Sequence, residues 1–135
     1  MTIYVDASAL VKLCLEETES FAAREYLEAH GPRATSRLAS VEVPRALLRR
    51  PGGDPRDAAD VLRELTLVDF DAAIAETASL LGPPTLRALD AIHLATALEL
   101  GPDLEALVTY DISFAAAARA LGIPVVMPGA EGDQA

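Results

Sequence analysis

The sequence contains one cysteine, no tryptophan and only 4% aromatic residues. A single thiol, Cys14, cannot close an internal disulfide, so a cytoplasmic setting is the expectation. With so few aromatic rings, the core must come from aliphatic side chains on helix faces. Lysine occurs once, at Lys12, and 11 Lys+Arg stand against 21 Asp+Glu for a formal net charge of −10. That balance disfavours a general nucleic-acid coat. Long apolar runs are also missing. The longest stretch free of Asp, Glu, Lys and Arg, Ala120 to Ala130, is interrupted by Gly122, Pro124, Pro128 and Gly129 and is too short to span a bilayer. No basic segment leads into an apolar core near Met1, so no secretory signal is expected. A Walker loop and a dinucleotide glycine fingerprint are both absent, which removes support for nucleotide-dependent enzymes.

What is present fits one domain. The chain has 135 residues, 51% of them hydrophobic, enough to bury a core and too few for a second one. Thr2-Ile3-Tyr4-Val5 is a β-prone run, and Asp6-Ala7-Ser8 offers polar caps for a helix beginning near Ala9. A second helix follows Thr18 and ends at His30-Gly31-Pro32. Arg33 to Ser36 reads as a strand, and Arg37 to Arg50 as a helix in which Pro44 forbids the usual backbone bond to Ser40. After the break at Pro51-Gly52-Gly53, Asp54 is expected to cap a helix reaching about Arg63. Leu65 to Val68 is strand-like, Asp71 opens a helix to Leu81, and Thr85 or Leu86 opens another to Leu100. Ala106 to Thr109 and Ile123 to Met127 are strands flanking a helix over Ile112 to Leu121. Strands alternating with helices predict an α/β fold, a three-layer α/β/α sandwich with a mostly parallel central sheet. The expected division is a domain over 1–127 and a loose tail over 128–135.

In such sheets ligands sit beyond the carboxyl ends of the strands. Asp6 closes the first strand and Asp111 follows Leu107-Val108-Thr109-Tyr110. Asp90 is embedded in Leu89-Asp90-Ala91-Ile92-His93-Leu94-Ala95, and Glu42 lies between Val41 and Val43. Carboxylates in apolar surroundings are costly unless paired, hydrogen-bonded or metal-bound. Two carboxylates about 4 Å apart repel by about 4 kcal/mol at an effective dielectric near 20, so convergence of these four would call for a counter-charge. An all-oxygen set selects a hard divalent cation, Mg²⁺ or Mn²⁺, and such a centre hydrolyses phosphodiesters. His93, three residues after Asp90, reads as a structural histidine, and Cys14 as an inert packed thiol. Arg45, Arg49 and Arg50 form a local cluster able to bind phosphate.

The segments Tyr4 to Leu13, Glu42 to Leu47, Leu89 to Ala97 and Thr109-Tyr110-Asp111 together resemble the PIN-domain family, with the closest likeness to the VapC-type toxins of bacterial toxin–antitoxin pairs. The resemblance runs from Thr2 to about Met127. It implies a Mg²⁺-dependent endoribonuclease whose centre is formed by Asp6, Glu42, Asp90 and Asp111. Asp6, Asp90 and Asp111 then hold the metal, Asp6 and Asp90 most directly, Glu42 completes the cluster or positions water, and Ser8 and Thr109 stand beside the centre as hydroxyls that position substrate or water. It also implies an RNA substrate, a VapB-like antitoxin protein, a homodimer and no membrane association. One departure is Ile112-Ser113-Phe114, where relatives often carry Arg-Leu or a further acid. Two other functions are compatible with the residues: phosphotransfer through an aspartyl phosphate, which lacks a second Asp beside Asp6, and a binding module whose acids receive a basic partner peptide.

Overall fold

The β-prone start of the chain becomes the middle strand of a sheet. The computed structural model describes residues 1–130, in which β1 (Thr2–Val5), β2 (Arg33–Ser36), β3 (Thr66–Val68), β4 (Leu104–Val108) and β5 (Val125–Val126) form one sheet in the order β3-β2-β1-β4-β5. Every pairing is parallel. Parallel strands need crossovers, and helices supply them: α1 (Ala7–Cys14), α2 (Ser20–Ala29), α3 (Ala39–Leu48), α4 (Asp57–Leu62), α5 (Ala72–Leu80), α6 (Ala88–Glu99) and α7 (Ile112–Ala120).

The period-2 alternation of a strand divides the core into two layers. Ile3 and Val5 of β1, with Ala106 and Val108 of β4, pack against Leu10 of α1, Leu27 of α2, Val43 and Leu47 of α3, and Ala58 of α4. Tyr4 and Leu107 point the other way, onto Leu94 and Ala97 of α6 and Phe114 and Ala118 of α7. α5 rests on α6. The result is the expected three-layer α/β/α arrangement, with helices covering both faces of the sheet.

Three helices start on aspartates that accept the amide three residues on: Asp6 from Ala9 at 3.1 Å, Asp71 from Ile74 at 2.9 Å and Asp111 from Phe114 at 3.1 Å. α1 therefore begins at Ala7, two residues before the sequence-based estimate. α3 begins at Ala39 and carries Pro44 within it. α6 begins only at Ala88, because Pro83 to Leu86 closes a turn through Leu86 N–H to Pro83 C=O at 2.9 Å and Arg87 is extended. Asp54 does not cap α4. Its carboxylate instead accepts the Arg56 amide at 2.9 Å in a turn ahead of the helix, whose first residue is Asp57. Beyond β5, the Tyr110 hydroxyl donates to the Pro128 carbonyl at 2.6 Å, and the Ala130 amide to Met127 at 2.8 Å. The remainder of the expected tail, from residue 131 onward, lies outside the described residues.

Strand order fixes where a ligand can enter. From β1 the chain steps outward through β2 to β3, then returns across β1 to build β4 and β5 on the other side. The crevice between the carboxyl ends of β1 and β4 is thus a topological switch point, the place where open α/β sheets bind ligands.

Candidate metal centre

Asp6 stands in that crevice, directly after β1, with 6% of its surface exposed. Its backbone amide donates to Val108 at 3.1 Å, which ties it to the end of β4. Three donors hold the carboxylate: the Ser8 hydroxyl at 2.7 Å and the Ala9 amide at 3.1 Å on Oδ1, and the Thr109 hydroxyl at 2.6 Å on Oδ2. Burial pushes the Asp6 pKa above the usual carboxylate range, against the opposing pull of these donors. A buried carboxyl so placed calls for positive charge.

Ser8 and Thr109 extend the arrangement. The Ser8 hydroxyl oxygen accepts the Tyr110 amide at 3.0 Å, and that of Thr109 accepts the Asp111 amide at 3.1 Å. Both hydroxyls therefore clamp the loop after β4 onto the start of α1. Asp111 is consequently joined to Asp6 through Thr109, while its own Oδ1 accepts from Phe114 N–H and from the Ser113 hydroxyl, each at 3.1 Å. Ser113 thus supplies a hydroxyl donor to Asp111 from two residues further along the chain.

Asp90 lies half-buried in the first turn of α6 and Glu42 half-buried in the first turn of α3. Burial raises the Asp90 pKa first, then the nearby negative charge of Asp111, with His93 opposing and Glu42 adding to the rise. The four candidate acids thus share one end of the sheet, and Asp90 feels the charge of Asp111 and of Glu42. Each is an N-cap or first-turn residue of a different helix: α1, α3 and α7 directly follow β1, β2 and β4, whereas α6, which carries Asp90, follows α5 and returns the chain to β4. The partial positive charge of those N-termini offsets part of the repulsion.

The carboxylates are not gathered into a ready-made ligand set. Among the described residues no group of three or more His, Cys, Asp or Glu side chains is placed to hold an ion. Three of the four are also engaged within the protein: Asp6 caps α1, Asp111 caps α7, and Glu42 Oε1 lies 2.6 Å from His93 Nε2. The chemistry of the four carboxylates nevertheless fits a hard divalent cation, since all offer oxygen and burial raises the pKa of both Asp6 and Asp90, an environment that favours a compensating positive charge.

His93 and Tyr4 are the residues that sequence reasoning did not bring to this end of the molecule. His93 is 3% exposed and Tyr4 is fully buried, and the Tyr4 hydroxyl lies 2.6 Å from His93 Nδ1. The sequence does contain a signal, an acid at Glu42 and a histidine at position 93 that each interrupt an apolar helix, but it does not say that the two meet. Glu42 could as well have paired with Arg45 one turn on, or with Arg49 at the end of α3. Cys14 stays outside the site, and burial pushes its thiol up to about 11, which keeps it protonated and inert.

A groove of about 420 Å³ opens beside Ser8 and Glu42, and Arg45, Arg49 and Arg50 line it. Arg50 is held by Glu17. Arg45 and Arg49 have no ion pair among the described residues.

Comparison with known proteins agrees with this geometry. Residues 3–126 match the family model described as PIN domain. Ribonuclease VapC46 of Mycobacterium tuberculosis is 46% identical over 126 residues, 93% of this chain and 97% of that protein. Ribonuclease VapC35 of the same species is 45% identical over 132 residues, 94% of this chain and 97% of that protein. Among solved structures, a toxin–antitoxin complex from Klebsiella pneumoniae superposes with a TM-score of 0.70 at 28% identity, covering 93% of this chain and 97% of that one. Sheet order, the buried aspartate at the switch point and near-complete coverage by these relatives converge on one assignment: the chain belongs to the PIN-domain family, among its VapC-type members.

Proposed function

We propose that this chain is a divalent-metal-dependent endoribonuclease, the toxin of a toxin–antitoxin pair, and that Asp6, Asp90 and Asp111 hold the ion. The observation that carries the reading is Asp6 itself, buried at the switch point and fixed by Ser8, Ala9 and Thr109, with Asp90 and Asp111 close enough to feel each other's charge. Mg²⁺ is the expected ion, with Mn²⁺ as a substitute, because both prefer oxygen ligands. When bound, the ion supplies charge neutralisation at a phosphodiester oxygen and lowers the pKa of water.

The protein's own residues do the rest. Ser8 and Thr109 keep both Asp6 oxygens in fixed directions, so the carboxylate needs no reorganisation. Glu42 accepts the attacking water's hydrogen bond and orients it for in-line displacement. Arg45 and Arg49 bind the phosphates next to the scissile one, which lets a chain of net charge −10 engage RNA locally. An RNA substrate sets the reaction in the cytoplasm. No helix among the described residues is long and apolar enough to cross a membrane. The partner is a VapB-like antitoxin, a reading supported by the similarity to a chain solved in a toxin–antitoxin complex.

Aspartyl-phosphate chemistry fits the site less well. Both Asp6 oxygens already accept hydrogen bonds, and the chain's one lysine, Lys12, is held by Glu17 at 3.3 Å and Glu19 at 2.8 Å, not by the site. A binding module and a nuclease separate in one experiment. Purified chain is incubated with total RNA, with Mg²⁺ or with chelator, and cleaved ends are mapped beside Asp6→Asn. New ends that require both Mg²⁺ and Asp6 are expected. Identical end maps for Asp6→Asn and parent would remove the nuclease assignment.

A further inference from the structure

A buried chain of hydrogen bonds stands behind Glu42, and it joins three elements. Glu42 comes from α3, His93 from α6 and Tyr4 from β1. Glu42 Oε1 and His93 Nε2 are 2.6 Å apart, as are His93 Nδ1 and the Tyr4 hydroxyl. The ring is also fixed by edge-on packing, with centroid distances of 5.9 Å to Tyr4 and 6.4 Å to Phe114.

Donor and acceptor rules allow one arrangement of protons along this chain for a neutral imidazole. An ionised carboxylate only accepts, so Nε2 carries the hydrogen that it donates to Glu42. Nδ1 is then the acceptor, and the Tyr4 hydroxyl donates to it. Burial holds the Tyr4 phenol far above its usual range, so it stays a donor. The opposite tautomer would set the Nε2 lone pair against the carboxylate. A glutamate on an exposed helix turn samples many rotamers, whereas this one is anchored through Oε1.

We propose that His93, oriented by Tyr4, is a positioning residue of the cleavage reaction that holds Glu42 in one rotamer and so keeps its second carboxylate oxygen ready for the attacking water. The inference rests on the ribonuclease reading and assigns a role to two residues that are not among the proposed ligands of the ion. Losses around oriented groups of this kind are about tenfold to hundredfold.

The test is a double-mutant cycle with Glu42→Gln and His93→Leu, read as kcat and KM on RNA, alongside His93→Gln, Tyr4→Phe and the imidazole nitrogen shifts of the metal-free chain. His93→Leu should lower kcat by about tenfold to hundredfold with KM little changed. His93→Gln, whose amide can still donate to Glu42, should restore most of that loss. In the Glu42→Gln background His93→Leu should cost nothing further, because both act through one carboxylate. The nitrogen shifts should report the Nε2–H tautomer for His93, and they should move in Glu42→Gln. Should His93→Leu fail to fold, Tyr4→Phe takes its place in the cycle. Multiplicative losses in the double variant, or an Nδ1–H tautomer, would overturn the proposal. A parent chain that cleaves no RNA would overturn the ribonuclease reading instead, and the tautomer would still decide whether His93 holds Glu42.

Discussion

Replacing Thr109 by Val tests how the centre is held together. The two side chains have nearly the same shape, and Thr109 is fully buried, so the substitution removes a hydroxyl with little change in packing. Two hydrogen bonds go with it: the 2.6 Å bond donated to Asp6 Oδ2 and the 3.1 Å bond accepted from the Asp111 amide. A bond to a charged group contributes about 1.5–3 kcal/mol, and a stranded amide costs about 1 kcal/mol more. The added apolar burial returns about 0.8 kcal/mol. The net loss is about 2–3 kcal/mol, or about 6–15 °C in Tm for a domain of this size. Urea and thermal unfolding in chelator measure it directly.

The pH dependence of that loss separates this cause from a generic packing defect. Asp6 has a folded-state pKa raised by burial, and Thr109 is one of the groups pulling it back down. Removing the donor raises the pKa further. A carboxyl with a raised folded pKa contributes stability that is present below its unfolded value and is lost as pH rises through the folded value. The penalty of Thr109→Val should therefore be larger at neutral pH and shrink below the ordinary aspartate value of 3.8, where the carboxyl is protonated in both states. The same shift makes an ion compete with a proton, so the pH for half-maximal cleavage should move upward. Thr109→Ser keeps the hydroxyl and should lose only about 1 kcal/mol for the missing methyl. A Thr109→Val protein as stable as its parent, or one destabilised equally at acid and neutral pH, would refute the reasoning.

Two further outcomes follow from the carboxylates. Asp90 also has a raised folded pKa, from burial first and Asp111 second, so its charge destabilises the metal-free chain at neutral pH. Asp90→Asn should raise Tm in chelator, lose that advantage below pH 3.8, and abolish both cleavage and the rise in Tm that Mg²⁺ gives the parent. Differential scanning fluorimetry with and without Mg²⁺ reads all of these. Asp111 caps α7 through Phe114 N–H and is also a proposed ligand. Asparagine caps as well as aspartate, so Asp111→Asn should unfold within about 0.5 kcal/mol of the parent while cleavage drops by about tenfold or more. Equal activity would leave Asp111 as a cap alone.

Much of the fold was legible because its signals are local. Thr2 to Val5 and Arg33 to Ser36 read as strands and are β1 and β2, and Asp71 and Asp111 cap the helices they were expected to open. Errors fell where a local signal has two outlets. Asp54 followed by Pro55 fits an N-cap or a turn, and the turn forms because the guanidinium of Arg56 also folds back to it, at 2.7 Å. The residues after Pro83 and Pro84 looked helical from Thr85, yet the turn closed by Leu86 consumes them before α6 starts.

The site divides along the same line. The acids were legible as charges in apolar surroundings, and for three of them placement follows from topology: β1, β2 and β4 each lead into the helix whose first turn or cap holds Asp6, Glu42 or Asp111, while α6 follows α5 and brings Asp90 to the same end on its way back to β4. All four therefore sit at the electropositive ends of helices. This is how four carboxylates coexist at one edge, and why Asp6 and Asp111, two of the proposed ligands, are also helix caps. The resemblance placed the Ser8 and Thr109 hydroxyls beside the centre, but the bonds they make, and the imidazole that meets Glu42, were not legible. Thr109 reaches Asp6 across 103 positions, and His93 reaches Glu42 across 51 and Tyr4 across 89. Such pairings depend on the rotation of α6 against α3 and β1, which is set by the packing of Leu94 and Ala97 on Tyr4 and Leu107. Helix rotation is decided by the whole apolar interface, so no short motif encodes it, and the residues that aim a catalytic carboxylate are read from the fold where the carboxylate itself is read from the chain.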